Sequence, residues 1–255
     1  MDPNDFEAQM RALEYFHSLR VLPGAWTVIR VDGRSFSRFT ETGFEKPFDE
    51  RFHSYIVKTA TTLLEDLHGI YAYTESDEIS IVFPPQWEMF DREVEKLVSI
   101  SAGVASATFT HQAGVPVTFD SRIWVGVSQE LVIDYFRWRQ ADATRCALNG
   151  WVYWTLRNAG VSMAEATAAM HRMTVAQKNE TLFQHGVNFN DLPLWQRRGT
   201  AAYFEIVEKV GHDPHRKVET TYQRRKLKVD EELPMKEQYT AFLQSLLTAV
   251  EVKDE

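Results

Sequence analysis

Residues 70–83 read Ile70-Tyr71-Ala72-Tyr73-Thr74-Glu75-Ser76-Asp77-Glu78-Ile79-Ser80-Ile81-Val82-Phe83, and Pro84-Pro85 follow. Two β-branched and aromatic runs flank a short polar break, which is the pattern of a hairpin. The first run predicts a strand over Ile70–Tyr73 and the second a strand over Ile79–Phe83. Glu75-Ser76-Asp77 makes the turn, and the two prolines end the second strand. Upstream, residues 48–67 carry Phe52, Tyr55, Ile56, Thr59, Ala60, Leu63 and Leu67 at helical spacing, with Gly69 just past the end. Before that helix, Ala25–Val31 reads as a strand stopped by Asp32-Gly33. Downstream, residues 90–111 read as a helix rich in small residues, and Val117–Trp124 as a fourth strand.

The order is β-α-β-β-α-β, the ferredoxin-like arrangement. In that topology the first and third strands are antiparallel central neighbours. The end of the first strand, Asp32, then lies beside the start of the third, Asp77. Alone, each aspartate reads as a turn residue. Brought together, they form a carboxylate pair suited to Mg²⁺, with the Gly33 carbonyl as a further oxygen ligand. Two ions are expected, as in sites that polarise attacking and leaving oxygens. The run Asp32-Gly33-Arg34-Ser35-Phe36-Ser37 adds amides and hydroxyls that could cradle a triphosphate. Arg34 and Lys46 add positive charge.

Composition sets the remaining bounds. The chain has 255 residues, 44% hydrophobic and 25% charged, which suits a globular protein with a substantial core. No apolar run approaches the roughly 20 residues of a membrane helix. Met1–Asp5 is acidic and lacks an apolar h-region. Cys146 is the only cysteine, so a reducing cytoplasm is the expected location. The eight histidines show no zinc spacing. Net charge is −8, so bulk electrostatics do not point to nucleic acid. A local basic segment, Lys209, Arg216, Lys217, Arg224, Arg225, Lys226 and Lys228 against Asp213 and Glu219, could still bind phosphates or could be a solvated surface of mixed charge.

After Gly126 the pattern turns mostly helical. A long helix is expected over 129–157, and capping boxes at Ser162–Glu165 and Thr174–Gln177 open two more. Residues 200–208 alternate weakly, as a strand would, and 236–250 form a last amphipathic helix ahead of an acidic tail. The fold class expected is α+β: a palm-like region over 1–126, with a mostly helical region over 127–255 packed on it as one integrated domain. Trp138, Trp151, Tyr153 and Trp154 read as core. Arg137 and Arg139 are two apart and point to different helix faces, so at most one meets RNA or a phosphate.

Six motifs in order resemble the tRNA-His guanylyltransferase family over about residues 10–205. They are Arg30–Phe36, Lys46-Pro47, Ser76-Asp77-Glu78, Asp134–Asp142, Lys178-Asn179-Glu180 and Arg198-Gly199-Thr200. The resemblance implies a palm similar to those of polymerases and nucleotide cyclases, and addition of nucleotides to the 5′ end of tRNA in the 3′→5′ direction. It implies Asp32, Gly33 and Asp77 as metal ligands, and Lys46, Ser76 and Lys178 as triphosphate contacts. Asp32, Asp77, Glu78 and Lys46 become the catalytic candidates. Arg139, Asn149, Lys178 and Arg198 become the RNA-binding candidates. The implied partners are tRNA, GTP, ATP and other nucleoside triphosphates, without a membrane, in a homotetramer.

One stretch departs from the family. Eukaryotic members carry a histidine–asparagine motif where this chain has Thr144-Arg145-Cys146-Ala147-Leu148-Asn149-Gly150. In the family that motif is linked to selection of the histidine tRNA. The chain therefore looks like the bacterial and archaeal-type guanylyltransferase-like branch, which implies templated repair of 5′-truncated tRNAs. A tRNA-His-specific guanylyltransferase, a nucleotide cyclase and a non-catalytic RNA-binding protein remain the alternatives.

Overall fold

The computed structural model describes residues 3–213 and 218–251. Arg216 and Lys217 of the basic segment, and the end of the acidic tail, lie outside the described residues. The first half runs α1 (Pro3–Leu13), β1 (Trp26–Gly33), the single turn α2 (Phe36–Phe39), α3 (Glu50–Asp66), β2 (Tyr71–Glu75), β3 (Glu78–Phe83), α4 (Val94–Ala113) and β4 (Phe119–Gly126). The second half runs α5 (Gln129–Asn158), α6 (Met163–Arg172), α7 (Val175–Gln184), α8 (Leu194–Arg198), β5 (Thr200–Asp213), β6 (Val218–Asp230) and α9 (Lys236–Glu251).

Local chemistry accounts for these boundaries. Asp49 caps α3 by accepting from the Arg51 and Phe52 amides at 2.8 and 3.0 Å. Gly69 ends the same helix, where a Cβ would sit 2.5 Å from Ile81 Cγ2, so only glycine lets α3 turn that tightly onto β3. Both expected capping boxes are formed, at Ser162 with Glu165 and at Thr174 with Gln177.

The sheet order is β4-β1-β3-β2-β5-β6, antiparallel throughout. Its first four strands have the ferredoxin-like order. Alternation along β1 sends Ile29 and Val31 into a core with α3 and α4, and Trp26 and Val28 into a core with α5 and α9. A third, smaller cluster joins the C-terminal half of α5 to Leu182 of α7 and Phe189. α5 thus has one part against the sheet and another in the helical cluster, so it carries no single apolar stripe.

The second half is not purely helical. The strand expected over 200–208 extends to Asp213 and pairs with β6, which the sequence reading did not anticipate. The pair adds two strands to the palm sheet through β2–β5 contacts. The described basic residues Lys209, Arg224, Arg225, Lys226 and Lys228 all lie on this hairpin.

Candidate active site

The face of the sheet turned to α5 is apolar at one end and charged at the other. Register places Asp32 of β1 opposite Glu78 of β3, and the Gly33 amide donates to the Asp77 carbonyl at 3.2 Å. The first and third strands therefore bring the two aspartates to one sheet end, as the element order predicts. Ser76, in the two-residue loop between β2 and β3, holds φ 51, a left-handed value that side chains rarely adopt. Gly33 is required for a different reason. A Cβ there would lie 2.4 Å from Phe36 Cδ2, so the ring can fold back beneath the turn only over a glycine.

Burial and the negative charge of Asp32 push the Asp77 carboxyl up to about 6. Two carboxylates held together in a half-buried site fit a hard divalent cation, which would relieve that repulsion. The donor set present is Asp32, Asp77 and the Gly33 carbonyl. Among the described residues no cluster of three His, Cys, Asp or Glu side chains stands out as a metal site.

Beside the pair lies a cavity of about 570 Å³, within the size range of a small-molecule site. Asp32, Ser37, Lys46, Ser76, Asp77 and Glu78 line it. Lys46 Nζ donates to Thr40 Oγ1 at 2.6 Å and lies 5.8 Å from the Trp154 ring. Burial lowers its pKa, and Glu41 and Asp49 oppose the shift. Phe36 also lines the cavity, but its side chain is buried among Phe39, Phe52, Phe109 and Phe119. The expected phosphate cradle is smaller than the sequence suggests. The Arg34 amide is taken by the Thr118 carbonyl, and those of Arg38 and Phe39 by the Ser35 carbonyl. Of the run after Gly33, only Phe36 and Ser37 reach the cavity before the helix turns away. Arg34 and Ser35 are exposed outside its lining.

Five of the candidate residues read from the sequence have partners within the protein. Arg139 is not a surface contact for RNA. It is 6% exposed; Nε donates to Glu78 Oε1 at 2.6 Å, and Nη2 donates to Glu75 Oε1 at 2.5 Å and Asp142 Oδ2 at 3.2 Å. Glu78 is correspondingly a buried partner of Arg139, with Arg30 at 3.7 Å on its other oxygen. Glu78 thus braces the strand pair that carries Asp32 while also lining the cavity. Lys178 is also engaged within the protein. It donates to Asn149 Oδ1 at 2.8 Å and does not line the cavity, so these two candidates bind each other across α7 and α5. Arg198 donates to the Leu233 carbonyl at 2.8 Å and tethers α8 to the segment before α9. Thr144, at the family's histidine position, bonds the Arg197 carbonyl at 2.8 Å and ties α5 to α8.

Three carboxyls share the Arg139 guanidinium. Burial pushes Glu75 up to about 8, against the pull of Arg139 and with the push of Glu78 and Asp142. Its Oε2 is buried with no hydrogen-bond partner, so nothing rewards the charge there. The direction is upward despite the short contact to Arg139, because burial of the carboxyl outweighs the pull of a guanidinium that Glu78 also shares.

His53 was not expected in the site. It lines the cavity, stacks on Trp195 with centroids 4.0 Å apart, and shares a 2.9 Å hydrogen bond with Thr200 Oγ1. No spacing in the sequence links residue 53 to residues 195 and 200. Burial lowers its pKa to about 4, and a half-exposed Glu231 at 3.8 Å is too distant to offset this. The unfolded chain therefore binds a proton that the folded chain refuses. Stability is full above about pH 6.5 and declines as pH falls towards 4. Between pH 7.5 and 4.5 the loss from this group is about 2–3 kcal/mol. Urea unfolding at the two pH values should show that difference shrinking in His53→Gln; an unchanged difference would place the acid sensitivity elsewhere.

An antiparallel palm with two carboxylates at adjoining strand ends, opening on a nucleotide-sized cavity, is the architecture of a nucleotidyltransferase. Comparison with known proteins agrees. Residues 7–126 match the family model described as tRNAHis guanylyltransferase, and residues 130–243 match the Thg1 C terminal domain. The probable tRNA(His) guanylyltransferase of Mus musculus is 33% identical over 214 residues, covering 77% of this chain and 72% of that protein. The one from Drosophila melanogaster is 35% identical over 192 residues, covering 71% and 67%. In fold, the chain is similar to a bacterial tRNA(His) guanylyltransferase-like protein solved in complex with ATP: TM-score 0.76, 23% identity, covering 95% of this chain and 99% of that one. The Saccharomyces cerevisiae enzyme gives a TM-score of 0.69 at 24% identity, covering 74% and 90%. The chain belongs to the tRNA(His) guanylyltransferase family, a family of nucleotidyltransferases that act on tRNA.

Proposed function

We propose that this enzyme adds nucleotides in the 3′→5′ direction to the 5′ end of tRNA, and that its substrates are 5′-truncated tRNAs repaired against their own opposite strand. The observation that carries the reading is the Asp32–Asp77 pair at the mouth of a 570 Å³ cavity. The 3′-hydroxyl of the incoming nucleotide attacks the α-phosphate of an activated 5′ end. Pyrophosphate leaves if that end is a triphosphate, and AMP leaves if it is adenylylated. Mg²⁺ held by Asp32, Asp77 and the Gly33 carbonyl would supply Lewis-acid polarisation and charge neutralisation. Lys46, at the cavity wall, places a cation against the triphosphate, and Ser37 and Ser76 offer hydroxyl donors. Glu78, clamped by Arg139 and Arg30, keeps the strand pair carrying Asp32 in register.

Broad tRNA use is supported by residues 144–150, where Thr144 and Asn149 are occupied by contacts within the protein. Base pairing, not side chains, would then select the nucleotide. Incubation of several tRNAs lacking their first nucleotide with each labelled nucleoside triphosphate in turn is the test. Extension of each by the nucleotide its opposite strand specifies is the expected result. Activity on histidine tRNA alone would defeat the repair reading, and a cyclic nucleotide formed without RNA would replace it with cyclase chemistry.

The tetramer is proposed on α1 and the turn after it, where Phe6, Leu13, Tyr15, Phe16 and Leu22 are exposed. Cys146, also exposed, suits a reducing cytoplasm.

A further inference from the structure

Sequence pattern places Trp138 in the core, but the structure leaves it 54% exposed. The indole is nevertheless held firmly. The Arg139 guanidinium lies 4.5 Å from its ring centroid and that of Arg30 lies 5.9 Å away. Tyr135 meets it edge-on at 5.8 Å, and Tyr135 is itself fixed by a 2.9 Å hydrogen bond to Ser80. Arg139 is buried against the ring, while about half of Trp138 stays open to solvent. A large aromatic set in place before any partner arrives loses little entropy on binding.

The position of the ring is specific. Arg30 reaches Glu78, which stands opposite Asp32 in the strand register, so two side chains, Arg30 and Glu78, link the ring to the carboxylate pair. It does not line the nucleotide cavity. Its surroundings are guanidiniums rather than apolar side chains. Arg122 pairs with Arg30 across the strands, and Arg137 precedes Trp138 in the helix. Both are about half exposed, in ion pairs with Asp120 and Asp134 whose partners are exposed too. Such pairs hold weakly and can exchange for phosphate. A lone exposed aromatic flanked by arginines is the equipment for stacking a nucleic-acid base and gripping its backbone.

A 5′-truncated acceptor end has one base on the opposite strand with no pairing partner, and its stack ends in water. We propose that Trp138 is the stacking platform for that terminal RNA base, holding the end of the duplex beside Asp32 and Asp77, with Arg122 and Arg137 on the flanking phosphates. This inference rests on the reading of the chain as a 5′-end-extending enzyme and adds where its second substrate sits.

The experiment compares Trp138→Leu and Trp138→Phe with the wild type. The probes are a tRNA lacking its first nucleotide and the same RNA with an abasic site at the unpaired position. Loss of one stacked base is about a tenfold effect or more. Trp138→Leu should weaken binding of the truncated tRNA, and raise its KM, by that factor. GTP affinity should be unchanged, Trp138→Phe should recover most of the binding, and the penalty should vanish on the abasic RNA. Wild-type tRNA affinity in Trp138→Leu, a parallel loss of GTP affinity, or an equal penalty on abasic RNA would overturn the proposal. So would a change in sedimentation mass with no change in tRNA affinity, which would mark the ring as a protein contact. If the wild type extends truncated tRNA and Trp138→Leu matches it, the platform fails and the function stands. If the wild type extends no tRNA, the function itself has failed, and the platform with it.

Discussion

Asp77→Asn abolishes nucleotide addition while making the protein more stable. The loss of activity is expected to be on the order of 10³-fold, about 4 kcal/mol of transition-state stabilisation, because the neutral amide would no longer complete the charge proposed to hold Mg²⁺. The gain in stability follows from the raised carboxyl. Asp77 titrates at about 6 in the folded protein against an ordinary 3.8. The folded state therefore binds the proton more tightly, and stability falls as pH rises from 3.8 through 6. At pH 8 the cost is fully present, about 2–3 kcal/mol, and the asparagine removes it. Asp32→Ala should match the loss of activity. A Tm at pH 8 above that of the wild type, together with activity at background, is the combined signature. Activity within tenfold of the wild type in either variant would remove the pair from the chemistry.

Arg139→Met should be the most damaging change to the fold. It leaves Glu75, Glu78 and Asp142 without the guanidinium they share. Breaking a buried ion pair from one side costs about 3–5 kcal/mol. The penalty depends on pH. Glu75 already titrates at about 8 beside Arg139, and Glu78 is also raised. Without the arginine both rise further, so the variant loses most stability above pH 8 and regains part of it by pH 5, where Glu75 is neutral. Denaturant unfolding at the two pH values reads this directly. Adding Glu75→Gln and Glu78→Gln to Arg139→Met should return much of the loss, because no enclosed charge is then unpaired. A loss below about 1 kcal/mol at pH 8 would mean that water reaches the cluster.

The two predictions treat neighbouring acidic residues in opposite ways, and the sequence alone does not separate them. Asp77 and Glu78 adjoin, and strand alternation sends their side chains to different surroundings. Glu78 falls under α5, where Arg139 covers it. Asp77 stays at the turn, at the cavity. Arg139 looked like an RNA contact because its segment matches a family motif. A motif reports that a residue matters and not whether it touches substrate or braces what does. Lys178 and Asn149 illustrate the same limit, since each is satisfied by the other. The β6 strand was missed because an exposed hairpin need not alternate between apolar and polar residues.

The palm topology and the pairing of Asp32 with Asp77 are legible along the chain. Those depend on period-2 and period-3.6 patterns and on the order of elements, all of which are local or combinatorial. The capping boxes were legible for the same reason, since each lies within four consecutive residues. Which charged groups are paired and which stay open emerges only from the packed fold. His53 meets Trp195 and Thr200 only once α8 and β5 fold back over α3. Trp138 is exposed only because Arg139, one residue on, turns inward to three carboxyls from two strands and its own helix. Burial and the partners of a charge come from long-range packing, and no spacing along the chain encodes them.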